Sequence, residues 1–335
     1  MTKRTKKNRS KDNKGRNPSV IIPLLGGLDR NVLVRSVIVV AGLICLVEVL
    51  NLYHGDVTKD YKVRSTLSIS GATDSCGHFN AWGVASIGRD RILVVDQGGN
   101  RLLLFDRQGD CVKSWGKAGS GPGEFHEPSG ATSDGKGHVF VMDTWNTAIK
   151  GYDENGKQVL DLNLANKNLY GPRGIGFDGR DFVLADTGSH RIALISPDGS
   201  VAATWGRRGT GEGEYQGPQD VAADGKGHYF VADTENHRVQ CLDQDGRVTK
   251  VLKFKKGVAS VAVDAKGRLF VSTSNSEGYS CIKAYTIQGD YLGDLRDEKG
   301  GLVPGDRGLT VTPEDTLVCA GGDHVYFYQL PDSVR

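Results

Sequence analysis

The chain has 335 residues, of which 38% are hydrophobic and 24% are charged, a composition that excludes a wholly disordered protein. Its 46 glycines have no three-residue period, which excludes a collagen-like fibre and indicates many tight turns between short strands. Residues 1–35 carry ten basic and two acidic residues, whereas the other 300 carry 32 basic and 38 acidic. The near-neutral net charge of +2 therefore conceals a basic tail and a mildly acidic domain.

The first two predicted segments are this tail and a membrane anchor. Residues 1–31 are predicted to be disordered, because so polar a segment cannot bury enough apolar surface to fold. Residues 32–53, VLVRSVIVVAGLICLVEVLNLY, are long and apolar enough to form one transmembrane helix. The cations before this span favour a cytoplasmic N-terminus and a single-pass signal-anchor in the cell membrane, with the following domain outside. A cleaved signal peptide is the competing interpretation, but no small-x-small site follows the apolar run.

Residues 54–335 contain an internal repeat. WGKAGSGPGEF at 115–125 recurs as WGRRGTGEGEY at 205–215, and SDGKGHVFVMDTWN at 133–146 recurs as ADGKGHYFVADTEN at 223–236. Six units follow one another at intervals of 40 to 48 residues, and their landmark positions are Asp96, Asp143, Asp186, Asp233, Thr273 and Gly321. Each unit divides into four alternating, β-branched runs joined by turns rich in Gly, Asp and Asn. This period is typical of a β-propeller with four-stranded antiparallel blades.

Two stretches in the fourth unit, VADTENHRVQ and WGRRGTGEGEYQGPQDVAAD, resemble NHL repeats. The resemblance implies an all-β, six-bladed propeller that serves as a ligand-binding module. The sixth unit ends without room for its fourth strand, and residues 60–70, DYKVRSTLSIS, read as a strand without a blade. We expect this segment to be the closing strand of blade six, which would leave the ring no open edge.

Candidate functional residues lie where the loops from strand two to strand three, and from strand four to the next blade, share one face of the disc. The predicted ligand-binding residues on that face are Trp145, Tyr170, Arg173, Arg207, Arg208, His126, His190 and His237. Structural roles are predicted for the repeated turn residues, whose carboxylates accept backbone hydrogen bonds or pair with arginine within a blade. These residues are Asp96, Asp143, Asp186, Asp233, Arg101, Arg191 and Arg238.

The favoured function is a membrane-anchored binding or scaffold module for a protein, peptide or glycan, with residues 32–53 in the membrane. The alternative is a metal-assisted lyase or hydrolase at the central channel, similar to the amidating lyases and lactonases. Those lyases use histidines near prolines at the start of a blade, whereas Pro128, Pro172 and Pro218 have none after them. No metal site, catalytic residue or cofactor is therefore predicted, and zinc or calcium enters only under the alternative. No nucleic-acid partner is expected, since the tail lacks aromatic residues and the domain is acidic.

Five cysteines lie in the predicted domain, and no CxxC motif occurs. This weakens metal and redox interpretations. Cys76 and Cys111 are the candidate disulfide pair, which an extracytoplasmic location would permit. Cys241, Cys281 and Cys319 fall in predicted strands and read as small buried hydrophobes.

Overall fold

The computed structural model describes residues 59–71, 76–275, 277–305 and 307–332. The predicted tail, 1–31, and the predicted anchor, 32–53, lie outside these residues. Within the described ranges, no helix is long and apolar enough to cross a membrane. The description below concerns the domain that begins after residue 58.

The strands follow the predicted order. Two strands precede the first complete blade: β1 Asp60–Lys62 and β2 Arg64–Ser70. The first blade contains β3 Ala81–Ile87, β4 Arg91–Asp96, β5 Arg101–Asp106 and β6 Cys111–Trp115. A short parallel pair then comes before blade two: β7 Lys117–Ala118 and β8 Glu124–Phe125. The second blade contains β9 Pro128–Ser133, β10 His138–Asp143, β11 Ala148–Asp153 and β12 Gln158–Asn163.

Blades three and four each have a 3-10 turn between their second and third strands. Blade three contains β13 Ile175–Phe177, β14 Phe182–Asp186, the turn Thr187–Ser189, β15 Arg191–Ile195 and β16 Val201–Trp205. Blade four contains β17 Pro218–Ala223, β18 Tyr229–Asp233, the turn Thr234–Asn236, β19 Arg238–Leu242 and β20 Val248–Lys253. Blade five contains β21 Ser260–Val263, β22 Arg268–Ser274, β23 Ser280–Thr286 and β24 Tyr291–Arg296. Blade six contributes β25 Gly308–Val311, β26 Thr316–Gly321 and β27 His324–Gln329.

The segment before the first blade is shared between the last two. Strand β2 pairs antiparallel with β27 and supplies the outer strand of blade six, whereas β1 pairs parallel with β24 at the outer edge of blade five. Only part of residues 60–70 therefore lies in blade six, which corrects the expectation for the whole segment. The chain changes sheets at Val63, whose N–H donates to the Arg296 carbonyl at 2.9 Å. Tyr61 and Val63 are both buried between the two blades, so burial favours the change of partner.

Apolar packing closes the ring. Six buried clusters lie between successive blades, and one of them joins blade six to blade one through residues such as Val325, Val84 and Leu103. Each blade is thus apolar on both of its faces, because each is packed against two neighbours. The prediction of six four-stranded antiparallel blades is confirmed.

Candidate functional site

One face of the disc carries the loops that lead into each first strand and the turns between strands two and three; we call it the loop face. Four landmark carboxylates tie these two kinds of loop together, because in each of them Oδ1 accepts a backbone N–H from the incoming loop. The donor and acceptor pairs are Asn80–Asp96 at 2.9 Å, His126–Asp143 at 2.7 Å, Tyr170–Asp186 at 2.8 Å and Gln216–Asp233 at 2.7 Å. The loop face is therefore fixed to the sheets beneath it.

The second carboxylate oxygen holds a cation within the same blade. The pairs join Arg101 Nε to Asp96 at 2.7 Å, Arg191 Nε to Asp186 at 2.9 Å and Arg238 Nε to Asp233 at 2.7 Å. In blade two the partner is Lys150, whose Nζ lies 2.9 Å from Asp143. Sequence reasoning missed this lysine, because the arginine position holds Ala148 and the cation comes two residues later. A repeat without its arginine is the signal that could have directed a search for a nearby lysine.

The glycine-rich loops contain a second internal ion pair. Glu214 accepts the Gly211 N–H at 3.0 Å and pairs with Arg207 at 2.9 Å. These two interactions lower the pKa of Glu214, and the backbone hydrogen bond contributes most. Glu124, with Lys117 at 3.2 Å, repeats the arrangement in the earlier loop. Of the predicted basic pair, Arg207 therefore fixes its own loop, whereas Arg208 is exposed and has no ion pair among the described residues.

Two predicted residues form an aromatic pair on the rim of the loop face. Trp145 is 42% exposed and Tyr170 is 64% exposed, and their ring centroids lie 6.1 Å apart in an edge-on arrangement. Trp145 Nε1 donates to Glu127 Oε2 at 2.9 Å, and its backbone N–H donates to the His126 carbonyl at 3.1 Å. The two rings are thus exposed, but each is held by its surroundings.

The three candidate histidines do not converge. His126 is exposed and lies in the loop that leads into blade two, where its carbonyl accepts the Trp145 N–H. His190 and His237 each end a 3-10 turn in the left-handed region, with φ of 55° and 53°. His190 Nδ1 accepts the Gly217 N–H at 3.0 Å, so this ring also fixes a loop. In the described part of the chain, no group of three or more His, Cys, Asp or Glu side chains is placed to hold a metal ion.

The innermost strands approach one another closely around the channel. Four glycines stand at one position of these strands, and an added Cβ would lie only 2.2 to 2.6 Å from main-chain atoms of the next blade. They are Gly83, Gly130, Gly174 and Gly308. The other two blades have Asp220 and Ser260 there, and the Ser260 hydroxyl donates to Asp220 at 2.5 Å. At this position the ring therefore closes by backbone contact at four of its six interfaces and by a hydrogen bond between blades four and five.

A cavity of about 520 Å³ occupies the channel, and its opening on the loop face is a cationic site. Arg307 lies over the Trp82 ring with its guanidinium carbon 4.3 Å from the ring centroid, and Arg173 reaches the same ring at 5.2 Å. Trp82, Arg173, Gln219 and Arg307 occupy the same position in four blades and line the cavity; we call them the channel mouth. Arg173 was a predicted candidate, whereas Trp82 and Arg307 were missed.

Asp220 is an acidic residue that lines the same cavity. It accepts hydrogen bonds from the Ser260 hydroxyl and from the N–H groups of Val221, at 2.9 Å, and Val261, at 3.1 Å. Burial nevertheless raises its pKa to about 6, because these hydrogen bonds only partly offset desolvation of the charged form. Neither Arg173 nor Arg307 has a carboxylate oxygen within 4 Å among the described residues. Asp220 therefore forms no ion pair with either arginine.

Comparisons with known proteins agree with this architecture. An NHL repeat model matches residues 215–242, and a model described as a 6-bladed beta-propeller matches residues 73–170. "Protein brain tumor" of Drosophila melanogaster is 27% identical over 140 residues, which cover 40% of this chain and 13% of that protein. The chain therefore spans a small part of that relative's length. Together, the family matches and the ring of sheets define a six-bladed β-propeller in which residues 215–242 match an NHL repeat.

Solved structures show the same fold. A Bacteroides thetaiotaomicron protein of unknown function is similar with a TM-score of 0.57 and 14% identity, over 80% of this chain and 76% of that one. Virginiamycin B lyase from Staphylococcus aureus is similar with a TM-score of 0.50 and 13% identity, over 79% of this chain and 99% of the lyase. At these identities the likeness concerns the fold alone.

Proposed function

We propose that this protein is a binding module whose loop face binds a partner protein, and that residues 32–53 hold it at the cell membrane with the propeller outside. The observation that carries the proposal is the exposed, fixed aromatic pair Trp145–Tyr170. NHL propellers are typical protein-binding scaffolds, which favours a protein over a free peptide or a glycan.

The pair has the physical character of an interaction hot spot. Tryptophan and tyrosine give large contact areas at low entropic cost, and such anchors contribute about 2 kcal/mol or more when a partner buries them. The edge-on contact and the indole hydrogen bond to Glu127 already restrict Trp145 before any partner binds. Less conformational entropy is therefore lost on association.

Two observations support an extracytoplasmic site of action. The basic segment before residues 32–53 favours an N-terminus that stays in the cytoplasm. Cys76 and Cys111 form a disulfide, with Cα atoms 5.7 Å apart, and such bonds persist mainly in oxidising compartments. Both disulfide cysteines belong to the propeller, so the proposal places that domain on the oxidising side.

Crosslinking with variants of the full chain tests the binding proposal. The wild type and a Trp145→Ser/Tyr170→Ser double variant are crosslinked in membranes, and the partners are identified by mass spectrometry. Val159→Ser is the matched control, because Val159 is 48% exposed on an outer strand, away from the loop face. We expect a partner that is recovered with the wild type and the control but lost with the double variant. Equal recovery with all three proteins would refute binding through the aromatic pair.

A separate experiment tests the topology. A cysteine is introduced at the exposed Thr210, and intact cells are treated with a membrane-impermeant maleimide. The proposal requires labelling without permeabilisation. Labelling only after the cells are opened would place the propeller in the cytoplasm.

A further inference from the structure

The channel mouth brings two positive charges to one aromatic ring. The guanidinium carbons of Arg307 and Arg173 lie 4.3 and 5.2 Å from the Trp82 centroid. The two guanidinium carbons are therefore at most about 9.5 Å apart. That separation is comparable with the screening length of about 8 Å at physiological ionic strength, so their repulsion persists. The negative face of the indole compensates only part of it. An anion bound beside both cations would relieve the rest.

The main chain around the mouth is fixed in advance. The Arg173 carbonyl accepts from Gly130 N–H at 3.0 Å and from the Ser129 hydroxyl at 2.8 Å, and the Arg173 N–H donates to the Ala185 carbonyl at 3.1 Å. The Arg307 N–H donates to the Ala320 carbonyl at 3.1 Å. The main chain of both arginines is therefore hydrogen-bonded just before an innermost strand, and neither side chain forms an ion pair with an acid among the described residues.

The surroundings restrict the class of anion. Guanidinium groups recognise carboxylates and phosphates through paired N–H donors. Residues 36–335 carry six more acidic than basic residues, and Asp220 faces the same cavity, so a multiply charged group meets opposing charge. A cavity of about 520 Å³ admits a small ligand or a peptide end but no folded element. These features favour a compact, singly charged group.

We propose that the channel mouth is a carboxylate-binding site in which Arg173 and Arg307, positioned by Trp82, hold one carboxylate at the opening of the channel. This site goes beyond the proposed aromatic contact, because it lies at the axis of the disc and recognises charge. Its carboxylate has two chemical sources, a free organic acid or the C-terminus of a peptide.

Calorimetric titration of the full chain in mild detergent tests the site with three probes. They are butyrate, acetyl-glycyl-glycine with its free carboxylate or as the amide, and inorganic phosphate. We expect at least one carboxylate to bind with a Kd of ~1 mM or lower. The titration should then approach saturation at a ligand concentration of about 10 mM. Preference for butyrate indicates a free acid, whereas preference for the peptide acid over both butyrate and the peptide amide indicates a chain end. Absence of binding by both carboxylates, or tighter binding of phosphate, would overturn the proposal.

Variants assign the binding to the mouth. Arg173→Met and Arg307→Met should each weaken the carboxylate at least about tenfold, equivalent to ~1.4 kcal/mol. Arg89→Met, which changes an exposed arginine in the turn between β3 and β4, is the matched control and should bind as the wild type does. If Arg173→Met lowers the melting temperature, Arg173→Lys takes its place, since it keeps the charge but loses the paired donors. Equal affinities in all variants would contradict the assignment, and crosslinking through Trp145 would be unaffected by that failure.

Discussion

The carboxyl group of Asp220 should make the stability of the propeller depend on pH in the direction opposite to most carboxylates. Its pKa is raised to about 6 from an ordinary value of 3.8, because burial penalises the charged form more than three hydrogen bonds stabilise it. Between pH 3.8 and pH 6 the folded protein therefore keeps the Asp220 proton, whereas the unfolded chain has lost it. The stabilisation from this group is complete below pH 3.8 and disappears as the pH rises through 6.

The size of the effect follows from the two pKa values. Their difference corresponds to a total contribution of ~3 kcal/mol at 1.36 kcal/mol per unit. At pH 5 about 1.4 kcal/mol of it remains, and at pH 8 almost none does. Replacing Asp220 with Asn removes the titration and keeps a carbonyl acceptor for only one of the Val221 and Val261 N–H groups, which donate to different oxygens of Asp220.

Urea denaturation of the wild type and Asp220→Asn at pH 5 and pH 8 measures this contribution. The free energy of unfolding of the wild type, taken relative to the variant, should fall by about 1.4 kcal/mol between the two pH values. The comparison depends on a difference, so a constant loss of stability from the altered hydrogen bonds cancels. Asp134→Asn is the matched control: although burial raises the pKa of Asp134, hydrogen bonds from His138 and the Lys136 N–H hold it below its usual value of 3.8, so the contribution of this carboxylate should not change between pH 5 and pH 8. A wild-type advantage that stayed constant or grew with pH would refute the reasoning.

Three further outcomes test the structural framework. Arg238→Met should lower the unfolding free energy by about 3–5 kcal/mol in urea titrations, because it leaves the buried Asp233 carboxylate without its cation; a loss below 1 kcal/mol would contradict burial of this pair. Gly130→Ala should cost ~1–3 kcal/mol, since the new methyl would lie 2.6 Å from the Arg173 carbonyl oxygen, and an unchanged melting temperature would argue against close strand contact at the channel. Cys111→Ser should cost about 4 kcal/mol for a 35-residue separation, and a reductant should destabilise the wild type but not this variant.

The sequence was sufficient to predict the number and type of blades, because each repeat carries its own turns and alternating strands. It was also sufficient to find a strand ahead of the first blade. It did not show that this segment divides at Val63 between two blades. A short strand such as β1 can pair with either neighbouring blade, and the choice depends on where Tyr61 is buried. Strand partners at the ring junction are decided by tertiary packing, which no local pattern contains.

The prediction of the site was less complete, for a reason that lies in the weaker repeats. Trp82 follows Ala81, at a position where three other blades have proline. Arg307 belongs to the sixth unit, whose sequence differs strongly from the first four. Aligning the residue before each channel glycine places Trp82, Arg173 and Arg307 in one column. That column was readable in the sequence. The contact of two arginines with one indole was not, because it depends on the angles at which three blades approach the axis.

In a propeller, the distance of a residue from the axis decides which other blades it can contact. Residues in the outer turns diverge, so a departure from the repeat there can combine only with a neighbour, as Trp145 does with Tyr170. Residues at the start of the innermost strands converge on the axis, so departures in blades one, three and six can combine at a single point. Repetition therefore specifies the ring, and irregular residues near the axis are the ones that a ring can assemble into a site. In this protein the irregular residues near the axis are Trp82, Arg173 and Arg307, whereas the Trp145–Tyr170 pair lies away from the axis.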